Sequence, residues 1–122
     1  MNKRQTGSEW EQKAADYLAH NGMCIKERNF RNRQGEIDII GTHDGYLVFA
    51  EVKYRSSPFM GHAAEAVDFR KQKQICRVAD YYRLRNGYSD STPVRYDVLA
   101  IEGEQIRWIQ NAFPHVYSGG YR

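Results

Sequence analysis

The sequence has no run of about 18 apolar residues, so no stretch of it is expected to span a membrane as a helix. It has only two cysteines, Cys24 and Cys76, which form neither a CxxC pair nor a disulfide framework. Each is expected to be a small buried hydrophobe. The four histidines, His20, His43, His62 and His115, show no HxxxH spacing, and a zinc site has no support. No serine or cysteine comes with a matching histidine and a nucleophile-elbow motif, which argues against acyl transfer. Large apolar residues are also scarce: Leu, Ile, Val and Phe together number 24 of 122, close to the proportion found in disordered chains. Two features oppose disorder. The net charge is only +3, and nine Tyr and two Trp add apolar area. A single globular domain over residues 1–122 is expected, with 113–122 as a loose tail.

The positive start at residues 1–6 is followed by Gly7-Ser8-Glu9-Trp10-Glu11 rather than an apolar stretch, so a cytoplasmic address is the expectation. No repeat or low-complexity tract is present. Trp10, Ala14, Tyr17 and Leu18 recur at helical spacing, predicting a helix over about 8–20 that Asn21-Gly22 closes. A strand is predicted over 23–30, then a turn at 31–35. Strands over 36–41 and 46–55 follow, joined by a hairpin turn at His43-Asp44-Gly45. Past a loop with Ser56-Ser57-Pro58 and Gly61, a long helix is predicted over about 63–85, ended by Asn86-Gly87. Strands over 94–101 and 105–109 form a second hairpin around Glu102-Gly103-Glu104. The order helix-strand-strand-strand-helix-strand-strand makes an α/β protein with helices packed on a mixed central sheet.

Charge inside the apolar pattern is the most informative feature. Leu47-Val48-Phe49-Ala50-Glu51-Val52-Lys53 begins as a strand buried on both faces, yet ends with two charges. The two-residue period puts Glu51 and Lys53 on the face of Leu47 and Phe49. Asp38, set among Ile37, Ile39 and Ile40, can lie across the hairpin from Glu51. A buried charge is costly unless paired or bound to a metal. A structural ion pair of Glu51 with Lys53, with Asp38 exposed, and a chemical site are both open on this pattern.

Three further features bear on the choice. Lys71 interrupts the stripe Ala64, Val67, Ile75, Val78 and Tyr82, and so either snorkels to the surface or points at an anion. Glu11 borders the buried face of the first helix, where it is either a site residue or the last member of a capping box begun by Ser8. Arg70, Lys73 and Arg77 share a helix face that, with Lys26, Arg28, Arg31 and Arg33, could track phosphates. If Asp38, Glu51 and Lys53 converge, the two carboxylates and a backbone carbonyl such as that of Val52 suit Mg²⁺ or Mn²⁺. Lys53 would then position a water or offset charge on a phosphate, and phosphodiester hydrolysis fits that chemistry.

The strings Gly35-Glu36-Ile37-Asp38-Ile39-Ile40 and Leu47-Val48-Phe49-Ala50-Glu51-Val52-Lys53-Tyr54-Arg55 resemble the signature of the bacterial YraN family. That family is grouped with the restriction-endonuclease-like PD-(D/E)xK superfamily and is similar to archaeal Holliday-junction resolvases. Glu11, Ala14, Tyr17 and Leu18 also match, as do Asn29-Phe30-Arg31, Ala66-Val67 with Lys71, Arg95-Tyr96-Asp97 and Asn111-Ala112-Phe113. The resemblance implies a restriction-endonuclease-like fold with Asp38 and Glu51 as metal ligands and Lys53 as the catalytic lysine. It implies auxiliary groups at Glu11 and at Lys71 or Gln72. Ile37 stands where the superfamily has its proline. The implied function is a Mg²⁺-dependent endonuclease acting on DNA, with branched or damaged structures as its substrates. The alternative is a silent nucleic-acid-binding module of the same fold. The partner expected is nucleic acid rather than membrane, bound by backbone and shape because no base-reading motif is visible; a homodimer is compatible with the sequence.

Overall fold

The computed structural model describes residues 3–55 and 67–117, excluding the side chains of residues 3–8 and of residue 55. Helix α1 (Lys3–His20) precedes strands β1 (Cys24–Asn32), β2 (Gly35–His43) and β3 (Tyr46–Arg55). Helix α2 (Phe69–Arg85) and strands β4 (Val94–Glu102) and β5 (Gln105–Phe113) follow. The strands form one mixed sheet in the order β1-β2-β3-β4-β5, antiparallel throughout except for the parallel pair β3–β4. Parallel neighbours need a crossover, and α2 lies in that connection. Among the described residues no helix is long and apolar enough to cross a membrane.

The sheet separates two apolar layers. Leu47 and Phe49 pack with Ile75, Cys76, Val78, Ala79 and Tyr82 beneath α2, whereas Val48 and Ala50 pack with Ala14, Ala15 and Leu18 beneath α1. This is the double-sided burial that the continuous apolar run of β3 predicts. The β2–β3 hairpin closes through Asp44 and Gly45, both at positive φ (52° and 83°), as a two-residue turn of primed type requires. Asp68 caps α2 by accepting the N–H of Lys71 at 2.9 Å. Gly41 lies so close to β1 that a Cβ there would stand 2.6 Å from the carbonyl oxygen of Cys24.

Several expectations are corrected. Helix α1 starts at Lys3, so Ser8 lies within the helix and cannot begin a capping box for it. Helix α2 starts after Asp68, and Val67 is a buried bend residue ahead of it; Ala64 and Ala66 lie outside the described residues. Cys24 is exposed, because its strand sits at the sheet edge, while Cys76 is buried. Strand β5 runs on to a buried Phe113. Within residues 113–117, expected as the start of a loose tail, Phe113, His115 and Val116 are held against the fold while Pro114 and Tyr117 are exposed: the Val116 N–H donates to Cys76 Sγ at 3.2 Å, and His115 Nδ1 lies 2.6 Å from the Tyr96 hydroxyl. Residues 118–122 lie outside the described set.

Candidate active site

The site forms where β2 parts from β3. Ile39 pairs with Ala50, which puts Asp38 opposite Glu51, but the ladder goes no further. Residues two apart on a strand share a face, yet Ile37 packs under α2 and Ile39 under α1. The strand therefore turns over at Asp38. Its partner strand does the same: Phe30, opposite Ile37, packs under α2, while Arg28, opposite Ile39, donates to Gln12 of α1 at 2.8 Å. Between them Asn29 has a left-handed φ of 54°. The turnover sends the Asp38 side chain toward β3, where Oδ2 accepts the Val52 N–H at 2.8 Å. In a strand the N–H and C=O of one residue point to the same side, so the Val52 carbonyl also faces this gap.

Glu51 is 7% exposed. Its Oε2 lies 3.6 Å from Lys53 Nζ and 3.8 Å from Lys71 Nζ, so Lys71 points at an anion. Burial pushes the Asp38 carboxyl up to about 7, helped by the charges of Glu51, Glu11 and Glu36 and opposed by the Val52 N–H. Burial also raises Glu51, against the pull of Lys71 and Lys53. Two carboxyls crowded together in a dry place resist simultaneous ionisation unless cations stand beside them.

Helix α1 brings Glu11 to the edge of this group. Trp10 stacks flat on Tyr54, with centroids 3.5 Å apart, which pins the helix over the end of β3. The Asn29 amide nitrogen, in the orientation that satisfies both acids, donates to Glu11 Oε1 at 3.1 Å and to Glu36 Oε2 at 3.2 Å. Gln72 points elsewhere, donating to the Val67 carbonyl at 2.9 Å. Among the described residues no three His, Cys, Asp or Glu side chains gather as a metal-holding group. Any ion here would rest on two carboxylates, main chain and water.

Lys53 and Lys71 open onto a cavity of about 560 Å³ also lined by Arg70, Lys73, Arg77, Gln34 and Gln74. Three of the predicted basic residues thus share a cavity with the two lysines that pair with Glu51. Arg31 and Arg33 are exposed and are not among the lining residues; Arg31 pairs with Glu36 at 3.4 Å. Sequence reasoning missed Asn29, Gln34 and Gln74. For Asn29 a signal was available: an asparagine inside a strand is the residue type, after glycine, that best tolerates left-handed backbone. Gln34 and Gln74 carry no such mark, since their meeting depends on how the β1–β2 turn docks on α2.

A family model described as "Uncharacterised protein family UPF0102" matches residues 10–101. The chain is 48% identical over 113 residues to a UPF0102 protein of Lachnoclostridium phytofermentans, covering 93% of this chain and 96% of that one. A UPF0102 protein of Photobacterium profundum is 43% identical over 114 residues, 91% of either chain. One from Fusobacterium nucleatum is 40% identical over 111 residues, 91% of this chain and 92% of its own.

Proposed function

The chain belongs to uncharacterised protein family UPF0102, the YraN family, and we propose that it is a Mg²⁺- or Mn²⁺-dependent endonuclease of restriction-endonuclease-like fold that hydrolyses phosphodiester bonds in DNA. Branched or damaged DNA is its proposed substrate. The observation that carries the reading is the meeting of Asp38, Glu51 and Lys53, the last of which lines a basic cavity.

The donor set fits a hard divalent cation. Asp38 and Glu51 offer carboxylate oxygens, neither histidine nor cysteine is needed, and Mg²⁺ commonly sits on one or two carboxylates with water completing its shell. Asp38, Glu51 and the Val52 carbonyl would hold it. When bound, the ion supplies Lewis-acid polarisation of a phosphoryl oxygen and an acidified water.

The protein's own groups do the rest. Glu51 pairs with both Lys53 and Lys71 through one oxygen and so holds the two amines beside each other. Lys53, 27% exposed at its side chain, can donate to a water or phosphate oxygen entering from the cavity and offset charge that grows there. Lys71 reaches the same place from α2. Arg70, Lys73 and Arg77 neutralise flanking phosphates and thereby hold the backbone in register.

One observation favours a second reading. Glu51 Oε2 is already shared by two lysines, which offsets its charge without any metal ion, as a silent nucleic-acid-binding module would require. The two are separated by incubating the protein with single-stranded, duplex, flap and four-way DNA in Mg²⁺ or Mn²⁺. Cleavage that Lys53→Ala abolishes supports the enzyme. Binding without cleavage of any substrate supports the module.

A further inference from the structure

We propose that Asn29, exposed on the edge strand, is the positioning residue that aims Asp38 into the site. The proposal deepens the reading above and rests on it only for its metal arm.

Three observations converge. Asn29 is one of three non-glycine residues with positive φ among the described residues, and it lies in the middle of β1 rather than in a turn. It stands between Arg28 and Phe30, whose partners Ile39 and Ile37 flank Asp38, so the left-handed residue is directly across from the carboxylate. On both strands the residues on either side of this pair pack against opposite faces of the sheet. A regular antiparallel pair cannot do this, because both strands would keep their two-residue period. A left-handed residue reverses the course of β1 locally, and β2 follows because it stays paired on both sides of the break. Asp38 then projects along the sheet, not above it, and takes the N–H of Val52 that the ended β2–β3 ladder leaves without a strand partner.

The side chain of Asn29 holds the conformation its backbone needs. Its amide nitrogen spans Glu11 of α1 and Glu36 of β2 at 3.1 and 3.2 Å. Asparagine tolerates the left-handed region at small cost, glycine at none, and a β-branched residue is a severe misfit there. Substitutions at this one position therefore separate backbone from side chain.

The test compares wild type, Asn29→Gly and Asn29→Val by amide hydrogen exchange, reading the Val52 amide against core amides of β4 in the metal-free protein. Asn29→Val should speed exchange at Val52 about tenfold or more while β4 stays protected, because Asp38 no longer reaches that N–H. Asn29→Gly should keep Val52 within about threefold of wild type. Should Asn29→Val prove too unstable to study, Asn29→Ala, which disfavours the same φ less severely, is expected to show the same selective loss. Val52 protection unchanged in the valine or alanine variant, or lost equally in the glycine variant, would overturn the proposal. Mn²⁺ titration adds the second arm: affinity should fall about tenfold or more in Asn29→Val, as it does when outer-shell supports of a metal ligand are removed, and be kept in Asn29→Gly. If wild type takes up no Mn²⁺, the metal reading fails, while exchange at Val52 still decides the role of Asn29.

Discussion

Lys71 Nζ, from α2, lies 3.8 Å from Glu51 Oε2, across the space between the helix and β3. Lys53 Nζ approaches the same oxygen from the strand itself, at 3.6 Å. A carboxylate that is 7% exposed is thus balanced by two amines, each about a third exposed or less, and it is these amines that line the cavity. Removing a cation here should cost stability modestly, since lysines this exposed are partly screened by water. Lys71→Met is expected to lower stability by about 1 kcal/mol in urea unfolding at pH 8, whereas Glu51→Gln should be neutral or stabilising because it removes a carboxylate that burial disfavours. A large loss of stability in Glu51→Gln would mean that the carboxylate is there to hold the fold.

Catalysis and metal binding should come apart in two variants. Lys53→Ala leaves both carboxylates, so Mg²⁺ uptake should be kept or tightened while cleavage falls by about two orders of magnitude or more. Asp38→Ala should lose uptake and cleavage together, because a ligand oxygen is gone. Calorimetric titration beside a cleavage assay reads both quantities. Parallel loss of metal in the two variants would contradict the assigned roles.

The carboxyl of Asp38, raised to about 7, predicts an unusual pH dependence in metal-free buffer. Between about 4 and 7 the folded protein keeps a proton that the unfolded chain releases near 3.8, so stability should fall as pH rises through that window. Asp38→Asn should flatten the decline. Mn²⁺ should restore stability above pH 7, where the ionised site has most to gain from a cation. Denaturant midpoints from pH 4 to 8, with chelator and then with Mn²⁺, would show both effects; a rising curve over that range in the wild type, absent in Asp38→Asn, would contradict the shift.

A second titration involves α2 and the segment after β5. His115 Nε2 is 3.5 Å from Asp80 Oδ2, and hydrogen bonding to Asp80, then to Cys76, raises the imidazole to about 9 against some desolvation. In the charged form both ring nitrogens donate, Nε2 to Asp80 and Nδ1 to the Tyr96 hydroxyl. Its contribution is full below about 6.5 and is lost as pH rises through about 9. His115→Gln should therefore remove a loss of stability between pH 6.5 and 9 without touching the lower window. NMR titration of the imidazole is the direct check, and a midpoint at or below 6.5 would refute it.

Salt should weaken nucleic-acid binding steeply. For duplex DNA the log–log slope is about −0.9 per neutralised phosphate. Arg70→Ala, Lys73→Ala and Arg77→Ala, all in the cavity wall, should each lower its magnitude by about one. Arg31→Ala should change it less, since Arg31 is paired with Glu36 and is not part of that wall. Affinity that ignores salt would point to a protein partner.

Much of this arrangement was written in local pattern. The apolar run from Leu47 to Ala50 announced a strand buried on both faces, and the two-residue period placed Glu51 and Lys53 on the side where α2 and Lys71 are found. Lys71 stood out because a charge on an apolar stripe needs an outlet. The true start of α1 was hidden, because the five residues before Ser8 carry no apolar stripe to announce a helix. Gln72, adjacent in sequence to Lys71, was indistinguishable from a site residue until its amide was found on the Val67 carbonyl.

The sequence by itself determined the elements, the two-layer core and the chemical kinds of group at the end of β3, because periodicity and polarity act over a few residues and leave a readable trace. Only the tertiary structure decided that Asp38 turns out of the strand's alternation to meet Val52 and Glu51, that Asn29 lies across from it, and that Gln34 and Gln74 join the basic wall. Those relationships come from pairing between strands and from docking of a turn on a helix. Both are set by the free energy of the whole packed sheet, to which no short window of sequence gives access.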